Sequence, residues 1–284
     1  MSEQICLGCR QPMEILEPGF FYHPGCIPAF TPVPGMHGMT MYDLELREDL
    51  INVIQWAQKS SRRSRQVQLG CSEVGHDCDR RIAYTMAGIQ GPNVNTDQWP
   101  AIVGTAVHTW MERAFDEYQH VHGVAEWLME LEVHPSPLVP GHTDLYHVPR
   151  ALVLDWKFPG SEALKKMRAE GPSRQYMTQV QLYGLGQLLA GYKVERVGIA
   201  AIGRQGWLKD LFIHTVEFDR AVAETALQRV YDLGGRLIEA EVLDHPERWN
   251  DIPATPSRLC LWCPFYARGT RSASDKGCPG KSET

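Results

Sequence analysis

Residues 141–158 read Gly141-His142-Thr143-Asp144-Leu145-Tyr146-His147-Val148-Pro149-Arg150-Ala151-Leu152-Val153-Leu154-Asp155-Trp156-Lys157-Phe158. Two strand-like runs flank a Pro149-Arg150 turn. With those two residues as the loop, Val148 faces Ala151, and the numbers of every later pair sum to 299. That register sets Asp144 directly opposite Asp155, with side chains roughly 5 Å apart on one face. Lys157, two residues on, points to the same side. Two carboxylates and an amine converging at a hairpin's end can hold Mg²⁺ or Mn²⁺ and steer a phosphate or a water. A slip of one residue would break the alignment.

The Asp-x-Lys triplet alone carries little, since a surface hairpin with one salt bridge explains it equally well. The residues before it carry more. Ala151 to Leu154 is continuously apolar and reads as a buried strand. Ending such a run with two charges costs several kcal/mol unless they find partners.

The elements around the hairpin follow from period and punctuation. Thr40 caps a helix to about Lys59, with an apolar stripe at Leu46, Leu50, Val53, Ile54 and Ala57 that predicts ordinary core packing. A cysteine turn leads into a short helix from about Asp77, ended by Gly88. A second helix spans 100–120 and puts His108 and Glu112 on one face. Residues 128–134 alternate as a strand that pairs with the hairpin, with Glu132 rather than Glu130 the acid expected near the site. Ser161 caps a short helix broken by Gly171-Pro172. A longer helix over 173–189 places Gln175, Gln179 and Tyr183 on one side. Strands at 194–203 and 210–218 precede a helix capped by Asp219 and running to about Glu241. Helix, three strands, helix, two strands and helix make an α/β fold, a sheet with helices on its faces.

The 284 residues are enough for one large domain with a small appendage. Hydrophobic residues make up 43% and charged residues 22%, which supports a full core and argues against disorder. No apolar run is long enough for a transmembrane helix, and the N-terminus lacks a basic-then-apolar signal, so the expected location is cytoplasmic. The net charge of −6 weighs weakly against nucleic acid as a partner but leaves room for local basic patches such as 59–65.

Eight cysteines fall in three groups, which in a cytosolic chain favours metal ligation over disulfides. Cys6-x2-Cys9, thirteen residues, then His23-x2-Cys26 is a tetrahedral Zn²⁺ pattern in a segment too short for its own core. With the Pro- and Gly-rich linker after it, residues 1–36 read as a zinc-binding module and 37–284 as the main domain.

Taken in order, His108 in Gly-Thr-Ala-Val-His, Asp144 in Gly-His-Thr-Asp, Asp155-Trp-Lys157 and Gln179-Val-Gln-Leu-Tyr183 resemble the PD-(D/E)XK nuclease superfamily, in its RecB-like branch. Cys78 before Arg80-Arg81, together with Cys260, Cys263 and Cys278, is similar to the iron–sulfur exonucleases of that branch, the CRISPR-associated exonuclease family and the AddB-type nuclease domain among them. The likeness covers roughly 69–280. It implies a restriction-endonuclease-like core with a mixed sheet, closed by a [4Fe–4S] cluster on Cys78, Cys260, Cys263 and Cys278. Here the last spacing, fourteen residues, is longer than usual in the family. Cys71 competes as the fourth ligand, and zinc is the alternative to the cluster.

The resemblance further implies metal-dependent exonucleolytic hydrolysis of DNA, acting on single strands or duplex ends. His108, Asp144 and Asp155 would hold Mg²⁺ or Mn²⁺, with the Trp156 carbonyl as a further ligand. Lys157 would orient or deprotonate water. Gln179 and Tyr183 would position the strand, with Glu112 behind the ligands. A structure-specific endonuclease and a non-catalytic DNA-binding or assembly protein remain the alternatives. A compact nuclease with an added finger suits a phage or mobile-element gene.

Overall fold

The computed structural model describes residues 40–60, 69–93 and 99–280. The Cys6, Cys9, His23 and Cys26 set, the linker, the expected domain boundary at 36/37 and most of the basic run lie outside them. The chain divides into two compact units, 1–65 and 66–284.

In the first unit, helix α1 spans Met41–Ser60. Thr40 caps it reciprocally: its hydroxyl accepts from the Asp43 N–H, and the Asp43 carboxylate accepts from the Thr40 N–H. Among the described residues the α1 stripe is not covered by another element. Leu46, Leu50, Val53 and Ile54 are exposed, because an apolar stripe is buried only where another element covers it.

The second unit is an α/β fold. Its five-stranded sheet, β1 (Trp127–Ser136), β2 (Val139–His147), β3 (Leu152–Lys157), β4 (Arg196–Ala201) and β5 (Phe212–Glu217), runs in sequence order across the sheet. β1, β2 and β3 are antiparallel neighbours, β3 and β4 are parallel, and β5 returns antiparallel. The parallel step needs a crossover. Helices α5 (Ser161–Glu170) and α6 (Arg174–Leu189) supply it. Gly160, not Ser161, is the N-cap of α5. Ser173 caps α6 by accepting from the Tyr176 N–H.

The hairpin register is the one read from the sequence: Leu145 pairs Leu154, Tyr146 pairs Val153 and His147 pairs Leu152. The turn is a 3₁₀ turn over Val148–Arg150, closed by the Ala151 N–H on Val148 O. Ala151 follows in the left-handed region.

The sheet separates two apolar clusters. The larger joins Val133, Tyr146, Val153, Val197 and Ile199 to Val180, Leu182 and Leu185 of α6, to α7 (Arg220–Glu239) and to α3 (Asp79–Met86). The smaller joins Leu145, Leu154, Trp156 and Ala200 to Met111 and Phe115 of α4 (Trp99–His122). A one-turn helix, α2 (Cys71–Val74), sits against α6. α6 is therefore buried over most of its length, and its glutamines find partners inside the protein. Beyond α7 the chain is irregular and folds back on α3, where Tyr84 stacks on Trp249 at 4.2 Å and on Phe265 at 5.0 Å.

Candidate active site

Part-way along the β1–β2 ladder, the pleat inverts. Trp127 and Met129 of β1 face the α4 side, whereas Leu131 and Val133 face the α6 side. In β2, Leu145 faces α4, while Thr143 faces α6 and accepts from Gln187 Nε2 at 3.1 Å. Strict alternation forbids both patterns. The switch falls at Glu130 and Asp144, and Glu130 absorbs it in the left-handed region, at φ 46°.

The inversion frees Asp144 from ordinary pairing with Asp155. The β2–β3 ladder ends at Leu145–Leu154, and the Trp156 N–H donates to Asp144 Oδ2 at 2.7 Å instead of to a strand carbonyl. Asp144 Oδ1 lies 3.3 Å from His108 Nδ1, which α4 brings to the same corner. The His108 ring meets Phe158 edge-on, with centroids 5.3 Å apart. Ligand atoms of His108, Glu130 and Asp144 all lie within 4.8 Å of one another. One imidazole with two carboxylates suits a divalent cation that favours oxygen and nitrogen donors.

Asp155 lies beneath this corner on the α6 side. It is 2% exposed, and Lys157 Nζ approaches its Oδ2 to 2.5 Å. Its Oδ1 accepts from Gln179 Nε2 at 2.9 Å, and Gln179 is also 2.9 Å from the Tyr183 hydroxyl. Lys157 Nζ sits 4.8 Å from the centre of the Tyr176 ring. Burial drives the Asp155 carboxyl upward from its ordinary range; Lys157 opposes this and the charge of Asp144 adds to it. Burial disfavours the Lys157 ammonium, but Asp155 and Asp144 outweigh that cost and hold its pKa above the usual lysine value. Burial likewise lowers His108, but its hydrogen bond to Asp144 and the Asp144 charge prevail, so the net shift is upward.

Among the residues expected at the site, His108, Asp144, Asp155 and Lys157 converge. Gln179 and Tyr183 are present but buried, at 3% and 7% exposure, and bear on Asp155 rather than on solvent. Gln175 donates to the Ser72 carbonyl, away from the site. Glu112 is exposed. Glu132, the acid favoured on β1, points outward and pairs with His134 at 3.2 Å. Glu130 takes its place, because the pleat inverts at Glu130 and separates two acids that plain alternation would set on one face.

A second cluster lies at the C-terminal lobe. Cys78, Cys260, Cys263 and Cys278 line one pocket with Arg80, Arg81 and Tyr84. Cys71 is not among them. It lies buried against Gly141 in the core, where burial pushes its thiol up to about 12 and keeps it protonated. Arg80 is itself buried and spends its hydrogen bonds on the carbonyls of Asn250 and Ile252, with Cys278 Sγ at 3.7 Å.

No family model matches the sequence, and no curated protein matches it. Solved structures with a similar arrangement include an alkaline exonuclease, LHK-Exo, from Laribacter hongkongensis. It is 14% identical with a TM-score of 0.44, over 64% of this chain and 94% of that one. The same enzyme in complex with dAMP gives 16% identity and the same TM-score. A phage related exonuclease from Haemophilus somnus 129PT gives 14% identity and a TM-score of 0.38, over 61% of this chain and 96% of that one.

Proposed function

We propose that this chain is a divalent-metal-dependent deoxyribonuclease that hydrolyses phosphodiester bonds at DNA ends or in single strands. The observation that carries the reading is the corner itself. An imidazole and two carboxylates lie within one ligand sphere, and a buried Asp–Lys pair borders it. His108, Glu130 and Asp144 would hold the cation, with Asp155 on its inner side. A divalent ion bound there supplies Lewis-acid polarisation of the phosphate and a water of lowered pKa.

The chain's own residues supply the rest. Lys157 stays an ammonium at neutral pH, so its part is to stabilise charge on the phosphate rather than to take a proton. Asp155 orients that ammonium, and Gln179, braced by Tyr183, fixes Asp155. Phe158 limits rotation of His108.

In the C-terminal lobe, Cys78, Cys260, Cys263 and Cys278 would hold an iron–sulfur cluster. Two features support this: all four thiols reach one pocket, and the buried Arg80 guanidinium donates to Cys278 Sγ at 3.7 Å. The cluster would tie the start of the nuclease domain to its end and take no part in hydrolysis.

The test is Mn²⁺-dependent cleavage of end-labelled linear DNA, single-stranded and duplex, beside a closed circle. Loss of the linear forms with the circle intact is the expected result. Nicking of the circle would make the chain an endonuclease, and binding without cleavage would make it a non-catalytic DNA-binding protein.

A further inference from the structure

The loop between β4 and β5, residues 202–211, leaves the sheet beside the end of β3. The Ile202 N–H donates to Lys157 O at 3.0 Å and the Arg204 N–H to Pro159 O at 3.1 Å. It therefore starts at the edge that carries Asp155 and Lys157. This is the C-terminal end of two parallel strands, the end where α/β sheets place their ligands.

The loop is built rather than slack. The Gly206 N–H donates to Gly203 O at 2.8 Å, the Asp210 N–H to Trp207 O at 2.8 Å and the Leu211 N–H to Leu208 O at 3.1 Å. Asp210 Oδ2 accepts from the Trp207 N–H at 3.4 Å. Arg168 of α5 clamps the Asp210 carbonyl at 2.5 Å.

What this frame presents is apolar and outward. Trp207 is 73% exposed and Leu208 76%. Lys209 Nζ stands 5.9 Å from the centre of the indole. Arg204 lies beside Gly160, on the side of the α5 N-terminus. In a chain with a net charge of −6, a lysine beside an exposed indole, on a loop that starts next to an acidic centre, is a local feature, not a consequence of composition. An exposed aromatic face with a cation beside it suits an unpaired base whose phosphates run past it. A base still stacked in duplex has no face to offer the ring. Trp207 lies five positions after Ile202, so their Cα atoms are at most about 17 Å apart, no more than a few nucleotides along a strand.

We propose that Trp207 is a stacking platform for an unpaired base of single-stranded DNA, with Lys209 and Arg204 contacting the flanking phosphates. The proposal rests on the nuclease reading and deepens it. It assigns the substrate entering this corner as a single strand, gripped a few nucleotides from the scissile bond.

The test is the affinity of a labelled oligothymidylate for the full chain, measured by fluorescence anisotropy with Ca²⁺ replacing Mn²⁺. Trp207→Ala should weaken binding about tenfold, Trp207→Phe should restore most of it, and affinity for a blunt duplex should not change. Lys209→Ala should lower the salt dependence by about 0.7 in the logarithmic slope, one phosphate contact on a single strand. Wild-type affinity in Trp207→Ala, or an equal loss on duplex, overturns the platform. If the wild type itself neither binds nor cleaves any DNA, the nuclease reading fails and the platform with it.

Discussion

Glu130 holds the left-handed backbone conformation that non-glycine residues avoid, at a cost on the order of 1 kcal/mol or more. Such strain persists where the surroundings demand it, and here it turns the carboxylate toward Asp144 and His108. Asparagine tolerates this backbone, so Glu130→Asn should keep the fold while removing one ligand. Calorimetric titration with Mn²⁺ is expected to show affinity down by roughly tenfold to a hundredfold, the range seen when a site loses a supporting group. Glu132→Gln, on the outward face, should titrate as the wild type. Asp155 and Lys157 were legible from the sequence because their spacing is local and the strand before them is apolar. Asp144 was legible because the hairpin register follows from one short turn. Glu130 was not. Its position depends on a pleat inversion shared by two strands, and simple alternation along β1 puts Glu130 and Glu132 on one face without choosing between them.

At the scale of the element, the hairpin carries a titratable group at its far end. His147 is buried at 3% exposure, meets the Trp127 ring at a centroid distance of 4.0 Å and a tilt of 48°, and has a buried Nδ1 without a hydrogen-bond partner. Burial, then the charge of Arg150, hold its pKa below the usual histidine value, against the pull of Glu126. The unfolded chain takes up this proton near pH 6.5, the folded chain only at lower pH. Stability tied to His147 is thus fully present above about pH 6.5 and is lost as pH falls toward the folded pKa. Urea midpoints measured downward from neutral pH should decline, and His147→Phe should flatten that decline. Thr40 and Asp219 cap as their residue types predict, whereas Ser161 falls one residue inside its helix. What periodicity missed is which helix faces are covered. The α1 stripe lies exposed, while α6, amphipathic by neither count, is buried on nearly all sides with its glutamines bonded to Asp155, Thr143 and the Glu217 carbonyl.

Over the whole second unit, two lobes meet on α3. Its Asp79 pairs with Arg229 of α7, and Arg80 and Tyr84 bond to the C-terminal segment at Asn250, Ile252, Ser274 and Gly277. Residues nearly two hundred positions apart are joined there, so these bonds tie down a segment with little regular structure of its own. Arg80→Met would leave the thiol set without its buried cation. An anaerobic preparation of that variant should lose visible absorbance and iron content faster on exposure to air than the wild type. A colourless wild-type preparation containing zinc would contradict the cluster assignment. The choice between Cys71 and Cys78 was beyond the sequence, since both precede α3. Burial of one in the core and exposure of the other to the pocket distinguish them.

The central claim is that the corner formed by β2, β3 and α4 hydrolyses DNA with a divalent ion. The most direct measurement is Mn²⁺-dependent release of nucleotides from a labelled single strand by the wild type and by Asp144→Asn, with far-UV circular dichroism confirming that both are folded. The wild type should release nucleotides only when the cation is present. Asp144→Asn should lose at least a hundredfold in rate, about 2.7 kcal/mol of transition-state stabilisation. Equal rates in the two proteins, or wild-type cleavage that persists in a chelator, would contradict the account.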